Sequence, residues 1–332
     1  GLTAVRHNLT AKIRALIEKL NIPVVVTPMA KGIVADDHAC FAGVLFHAQS
    51  EHVAEIYRQA DLVVGIGYDS VEFNYEAWMP KVPLIHMDTD EVDITPEYGD
   101  VLSIKGDLAA SIEYLSKHDY PHYAWNLDEV AAMKRRLYDD LTAPQDGFTP
   151  SQLVTEMQAA LPQNHYVVSD VGAHLHLLGQ LFKTDEPNRF IITNGWSAMG
   201  FGIPAAIGIK LCRPDSKVVC VTGDGGFLMN CGELLTARRL GINIVVVVMC
   251  DRSLSLIELK QKRQNVVAYG TDLYEGEFFG AEKFLGVPII TVDSADAVKA
   301  AFEQAFAKHE PVIIAANIDG SSYNDLVSKT YK

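Results

Sequence analysis

The sequence predicts an α/β protein made of two doubly wound parallel-sheet domains. Three observations predict it. Apolar, β-branched runs alternate with segments of helical period along the chain. Several of those runs are apolar throughout, as are strands buried on both faces of a parallel sheet. The length of 332 residues suits about two domains of roughly 150 residues each. A hydrophobic content of 48% gives each of them material for a core.

The elements follow in order. Residues 8–20 form an amphipathic helix, and Pro23 to Thr27 a strand. A helix over 51–60 leads to the strand Leu62 to Ile66, followed by a strand near Leu84 to Met87 and a helix near Leu108 to Leu115. These make a first domain over residues 1–118. No strand precedes the helix over 8–20, and Gly1 is not an initiator methionine. The chain is therefore expected to begin partway into a domain, after its first strand. Residues 119–148, rich in Tyr, His, Asp and Pro, read as a linker with a helical stretch from Leu127 to Leu141.

The second domain, 149–332, opens at Thr149-Pro150-Ser151, a helix start with proline in the first turn. Strands are expected at His165 to Ser169 and Phe190 to Ile192. The small-residue segment Met199 to Leu211 is expected to be a closely packed helix. Strands over 218–224 and 242–251 follow, with a last one near Val312 to Ala315.

Composition narrows the function. The net charge of −14 argues against nucleic acid or an anionic membrane as partner. The longest apolar run, Ile242 to Cys250, is far too short to span a bilayer. No signal peptide is recognisable. The five cysteines, Cys40, Cys212, Cys220, Cys231 and Cys250, have no metal-ligand or redox spacing and read as buried free thiols. A cytoplasmic protein is expected.

The most informative stretch runs from Val218 to Ile257. One strand ends at Gly223-Asp224-Gly225-Gly226 and the next at Cys250-Asp251, so two strand ends deliver carboxylates 27 positions apart. A glycine turn opening a helix between them is an anion site. Two carboxylates beside a phosphate cradle suggest a divalent cation carrying a diphosphate. Mg²⁺ takes six oxygens, few of them from protein. Asp224, Asp251 and a carbonyl just past Asp251, at Ser253, are the candidate ligands. Asp224 alone could instead cap the helix that follows it.

These residues resemble the signature of thiamine-diphosphate enzymes, in which Gly-Asp-Gly is followed by a strand ending in Asn or Asp. Asn194 to Ala206 looks like the family's segment beneath the thiazolium ring, and Asp170 to His174 like its upstream phosphate-side loop. Residues 22–115 resemble the central domain of acetolactate-synthase-like enzymes. Gly67-Tyr68-Asp69, Trp78 and the tail Asp272 to Gly280 lean toward the catabolic, flavin-free branch. The resemblance assigns 1–118 to a central domain and 149–332 to a thiamine-diphosphate-binding domain. It implies that Met199 holds the cofactor bent, that the Ser197 carbonyl accepts from the aminopyrimidine, and that His174 approaches the diphosphate. Gly223, Gly225 and Gly226 would let the backbone close on phosphate oxygens, and Leu256 would line the pocket.

Three positions depart from the family pattern. Cys250-Asp251 stands where Asn-Asn is usual, which adds a negative charge but keeps a Mg²⁺ ligand. Trp196 replaces smaller or amide side chains. Tyr68-Asp69-Ser70-Val71-Glu72 replaces the run typical of flavin-binding synthases, so FAD is not expected. Gly65-Ile66-Gly67 lacks the third glycine of a dinucleotide fingerprint and reads as a structural turn.

The resemblance implies decarboxylation of a 2-keto acid such as pyruvate and its ligation to a second carbonyl, two pyruvate giving acetolactate and CO₂. A 2-keto acid decarboxylase or another carboligase is the alternative, and a non-catalytic regulatory or scaffold subunit is a second. The glutamate that activates the cofactor belongs to a pyrimidine-binding domain that no stretch of these residues resembles. No catalytic residue is therefore expected within this chain, and alone it is expected to be inactive. Assembly as a homodimer or homotetramer, or with a partner chain carrying the pyrimidine-binding domain, is implied.

Overall fold

The computed structural model describes residues 1–326 except 46, 70–81, 92–99, 122, 124 and 194. Trp78, Asn194 and the run Ser70-Val71-Glu72 lie outside the described residues. The chain divides into two compact units, Gly1–Asp140 with Lys183–Asn188, and Leu141–Phe182 with Arg189–Lys332.

In the first unit, helices Leu2–Arg6 and Thr10–Leu20 precede β1 (Val24–Val26), β2 (Phe41–Val44), β3 (Val63–Ile66), β4 (Leu84–Asp88) and β5 (Val101–Lys105). Strands β1 and β2 pair in parallel, and β3, β4 and β5 form a second parallel sheet. The helix expected over 8–20 starts at Thr10. Asn8 (φ +56°) breaks it from Leu2–Arg6 and Asn21 (φ +51°) ends it, since asparagine tolerates the left-handed region. The Asp107 carboxylate caps helix Leu108–Lys117, accepting from the Ala109 and Ala110 N–H groups at 2.8 and 3.3 Å. Ile13, Leu16, Ile17, Val26, Phe41, Val44 and Ile112 share the core.

Gly67 (φ +59°) makes the expected turn. A Cβ there would lie 2.4 Å from the Ala4 nitrogen, so only glycine fits. Residues 183–188, within the span read as the second domain, are built into this unit. The Arg14 guanidinium donates to the Gly32, Ile33 and Asp185 carbonyls, and the Thr184 N–H donates to Asp36 at 3.1 Å.

The second unit begins at Leu141, and residues 119–140, read as a linker, fall in the first unit; helix Pro150–Ala160 starts where Thr149-Pro150 marked it. Thr149 Oγ1 accepts from the Gln152 N–H at 3.2 Å and Gln152 returns the bond to the Thr149 N–H at 3.0 Å. Its strands are β6 (His165–Ser169), β7 (Phe190–Ile191), β8 (Lys217–Gly223), β9 (Val245–Cys250), β10 (Lys283–Phe284), β11 (Val287–Val292) and β12 (Val312–Asn317). They form one seven-stranded sheet ordered β10-β11-β12-β9-β8-β6-β7, parallel except for the β10–β11 pair.

Strand alternation divides the core. Val168, Val218, Cys220, Val246, Val248 and Ile313 pack on one face with Ile203, Ala206 and Ile207 of helix Gly202–Cys212. Val167, Val219, Val221, Val245 and Val247 alternate with them and are equally buried. Each such valine contributes about 2 kcal/mol by leaving water.

The order places the site. From β6 the chain moves outward to β7, then crosses back to β8 on the other side of β6. The loops leaving β6 and β8 therefore diverge and open a crevice at their carboxyl ends, where such sheets bind ligands.

Candidate functional site

Three strand ends build the crevice. Strand β6 delivers Asp170 to His174, β8 delivers Gly223 to Gly226, and β9 delivers Asp251 to Leu256. The loop before helix Gly202–Cys212 adds Ser197 and Met199. Together they line a cavity of about 210 Å³. All ten residues that the sequence pointed to lie on it: His174, Ser197, Met199, Gly223, Asp224, Gly225, Gly226, Asp251, Ser253 and Leu256. Both strands end one residue short of their carboxylates. Asp224 is the first residue of helix Asp224–Asn230, and Asp251 follows β9 directly.

The two carboxylates are held differently. Asp224, 1% exposed, accepts from the Gly225 N–H on Oδ1 at 2.8 Å, and from the Arg252 N–H and the Tyr274 hydroxyl on Oδ2 at 2.8 and 2.9 Å. Asp251 accepts from the Ser253 N–H at 3.3 Å and from the Ser255 hydroxyl. Burial pushes the Asp251 carboxyl up to about 6, and the Asp224 charge adds to the effect. Burial raises Asp224 as well. Neither carboxylate is paired with Lys or Arg among the described residues. Two uncompensated acids in a low-dielectric wall are a setting that a cation relieves.

Ser253 forms an isolated antiparallel bridge with Asp272. The ribbon's hydrogen bonds run from the Leu254 N–H to Thr271 and from the Leu273 N–H to Arg252, at 2.8 and 3.0 Å. Ser253 is thus the non-hydrogen-bonded residue, and its carbonyl points away from the ribbon.

His174 is buried, and Nε2 has no hydrogen-bond partner. Burial depresses its pKa to about 4, against a hydrogen bond with the Asp170 backbone that favours the charged form. The ring is neutral at pH 7. A Cβ on Gly172 would lie 2.7 Å from it, so glycine makes room for the imidazole.

The glycine turn is equally tight. A Cβ on Gly225 would sit 2.6 Å from Leu254 Cδ2 and 3.2 Å from Met199 Cε. One on Gly226 would sit 2.8 Å from both Asp170 Oδ2 and Thr222 Oγ1. Ser197 adopts φ +47°, a strained conformation for a non-glycine residue, on the exposed lip of the cavity. Its neighbour Trp196 is 98% exposed.

The match to known families agrees with this geometry. Residues 170–316 match the thiamine pyrophosphate enzyme C-terminal TPP binding domain, and residues 1–115 the thiamine pyrophosphate enzyme central domain. The chain belongs to the thiamine pyrophosphate enzyme family. Its relatives include acetolactate synthase of Bacillus subtilis, 28% identical over 99% of this chain and 59% of that protein. The acetolactate synthase large subunit of Haemophilus influenzae is 28% identical over 92% of this chain and 56% of its own length. Acetolactate synthase isozyme 1 large subunit of Escherichia coli is 25% identical over 94% and 57%. The chain spans a little over half the length of these relatives.

Thiamine diphosphate is the cofactor of this family. The cavity has features that suit a diphosphate with a divalent cation: paired carboxylates and a glycine turn at which the backbone is laid bare. All five cysteines are free, with Cys40, Cys220 and Cys250 buried but Cys212 exposed and Cys231 half-buried, so burial holds for three of the five. Among the described residues no helix is long and apolar enough to cross a membrane.

Two residues at the site lay within stretches the sequence pointed to, 170–174 and 272–280, without being given a role of their own. Asp170 fastens the wall, accepting from Val171 and Gly200 N–H groups and from the Thr222 hydroxyl. It carries the same signal as Asp224 and Asp251, a carboxylate at the end of an apolar strand. Tyr274 reaches Asp224 from 50 positions away, and no local pattern marks it.

Proposed function

We propose that the protein containing this chain is a thiamine-diphosphate-dependent enzyme of the acetolactate synthase type, and that the chain supplies the diphosphate and cation half of its active site. The observation that carries the reading is the convergence of Asp224, Asp251, Gly225, Gly226 and His174 on one cavity at the carboxyl ends of β6, β8 and β9.

Asp224, Asp251 and the Ser253 carbonyl would hold Mg²⁺, with the remaining positions left to diphosphate oxygens and water. Gly225 and Gly226 allow the backbone to close on the diphosphate. His174 lines the same cavity. Met199 and Leu256 wall the cavity, and Ser197 stands at its lip, where its carbonyl would accept from the aminopyrimidine. When bound, thiamine diphosphate supplies the reactive carbon and the electron sink for decarboxylation. The protein's part is to orient it and exclude water. The pyrimidine half of the site would be supplied by a pyrimidine-binding domain. That domain would come from another part of a homodimer or homotetramer, or from a partner chain.

The substrate class is a 2-keto acid. Pyruvate supplied to the full-length protein with thiamine diphosphate and Mg²⁺ is expected to yield acetolactate and CO₂. Acetaldehyde as sole product would assign it to the decarboxylases, and no consumption of any 2-keto acid would favour a regulatory subunit. The 332-residue chain alone is expected to be inactive.

A further inference from the structure

The segment 271–279 lies against the carboxylate wall without belonging to any strand of the sheet. It is tied down by the two ribbon hydrogen bonds between 271–273 and 252–254. The Tyr274 ring packs on Phe278 with centroids 4.8 Å apart, and Phe278 meets Phe227 of helix Asp224–Asn230 at 5.9 Å. The ring is thus fixed on one side, and its hydroxyl reaches Asp224 Oδ2 at 2.9 Å.

The consequence lies in how the lone pairs of Asp224 are divided. A carboxylate oxygen has two in-plane lone pairs. Oδ2 accepts from the Arg252 N–H and the Tyr274 hydroxyl, so both of its lone pairs are engaged. Oδ1 accepts from the Gly225 N–H. The oxygen with room for a cation is therefore Oδ1, and the carboxylate is held as a one-oxygen ligand.

We propose that Tyr274 is a positioning residue that makes Asp224 a monodentate ligand through Oδ1 and so sets the site's preference for Mg²⁺ over larger divalent cations. Mg²⁺ requires near-ideal octahedral geometry from single oxygens, whereas Ca²⁺ accepts bidentate carboxylates and irregular shells. Blocking Oδ2 excludes the bidentate arrangement. The inference rests on the cation–diphosphate reading of the cavity.

The test is Tyr274→Phe in the full-length protein, which keeps the ring and its contact with Phe278 and removes only the hydroxyl. Mg²⁺ and Ca²⁺ are titrated separately at saturating thiamine diphosphate, with binding followed by calorimetry. Mg²⁺ affinity is expected to fall about 10-fold, the scale of outer-shell losses, and Ca²⁺ affinity to change by less than about 3-fold because bidentate binding becomes available. An equal loss for both cations, or no loss for either, overturns the proposal. Absence of cation binding in the wild-type protein overturns the underlying reading instead. If Tyr274→Phe fails to fold, 3-fluorotyrosine at 274 keeps the ring and makes the hydroxyl a stronger donor. It is expected to widen the preference for Mg²⁺, and an unchanged ratio overturns the proposal.

Discussion

The Gly200 N–H donates to both carboxylate oxygens of Asp170, at 2.9 and 3.0 Å, across 30 positions of sequence. That contact ties the loop carrying Ser197 and Met199 to the end of β6. Thr222 of β8 donates to the same carboxylate at 3.1 Å. One buried acid thus sets the distance between two walls of the cavity. Asp170→Ala strands the Gly200 and Val171 N–H groups, while the Thr222 hydroxyl keeps the Gly223 carbonyl as acceptor at 3.0 Å. With buried unsatisfied groups costing about 1–3 kcal/mol each, the variant is expected to lose about 2 kcal/mol or more in chemical denaturation. Its 195–200 loop is expected to become more open to protease.

The adjacent glycines are expected to fail in opposite ways. In Gly225→Ala the new methyl meets the ends of the Leu254 and Met199 side chains, which can turn aside into the cavity. Stability is expected to change by less than about 1 kcal/mol, while thiamine diphosphate affinity falls about 10-fold or more. In Gly226→Ala the methyl meets the fixed polar atoms of Asp170 and Thr222, and stability itself is expected to fall by about 1–3 kcal/mol. Melting curves and cofactor titrations on the two variants separate the cases. The same pattern of loss in both would mean that the turn is not a cavity wall.

His174 gives the cofactor-free protein a pH signature. Its folded pKa of about 4 lies below the ordinary 6.5. Between these values the unfolded chain takes a proton that the folded chain refuses, so this residue lowers stability as pH falls through that window. The full effect is about 3 kcal/mol. Asp251, raised to about 6, acts in the opposite sense, so the contrast between wild type and His174→Gln isolates the histidine. The glutamine variant is expected to lose less stability between pH 7 and pH 4.5. Parallel denaturation midpoints across that range would show that the imidazole is not held neutral.

Much of the fold was legible because its strands are buried on both faces. β8 and β9 announce themselves as unbroken apolar runs, and a carboxylate just beyond such a run points to a strand-end site. β2, Phe41–Val44, did not announce itself, being four residues long with a glycine inside. β5, Val101–Lys105, is largely exposed, so burial imposed no pattern on it. β11 and helix Ala295–Ala307 were passed over beside the stronger signals upstream. The ten candidate residues that line the cavity were readable from local motifs and the family resemblance those motifs carry. Asp170's partners lie 30 and 52 positions away and Tyr274's lies 50 away. Such contacts exist only once the sheet order has brought β6, β8 and the 271–279 segment together.

The paired carboxylates decide whether this cavity is a cation–diphosphate site. Mg²⁺ is titrated into the full-length protein at saturating thiamine diphosphate, comparing wild type with Asp251→Ala. Loss of a ligand should exceed the roughly 10- to 100-fold cost of outer-shell changes, so Mg²⁺ affinity is expected to drop by more than about 100-fold, with cofactor affinity falling alongside. Cation and cofactor affinities that match those of the wild type would contradict the assignment of Asp251, and with it the reading of the two strand ends as one metal site.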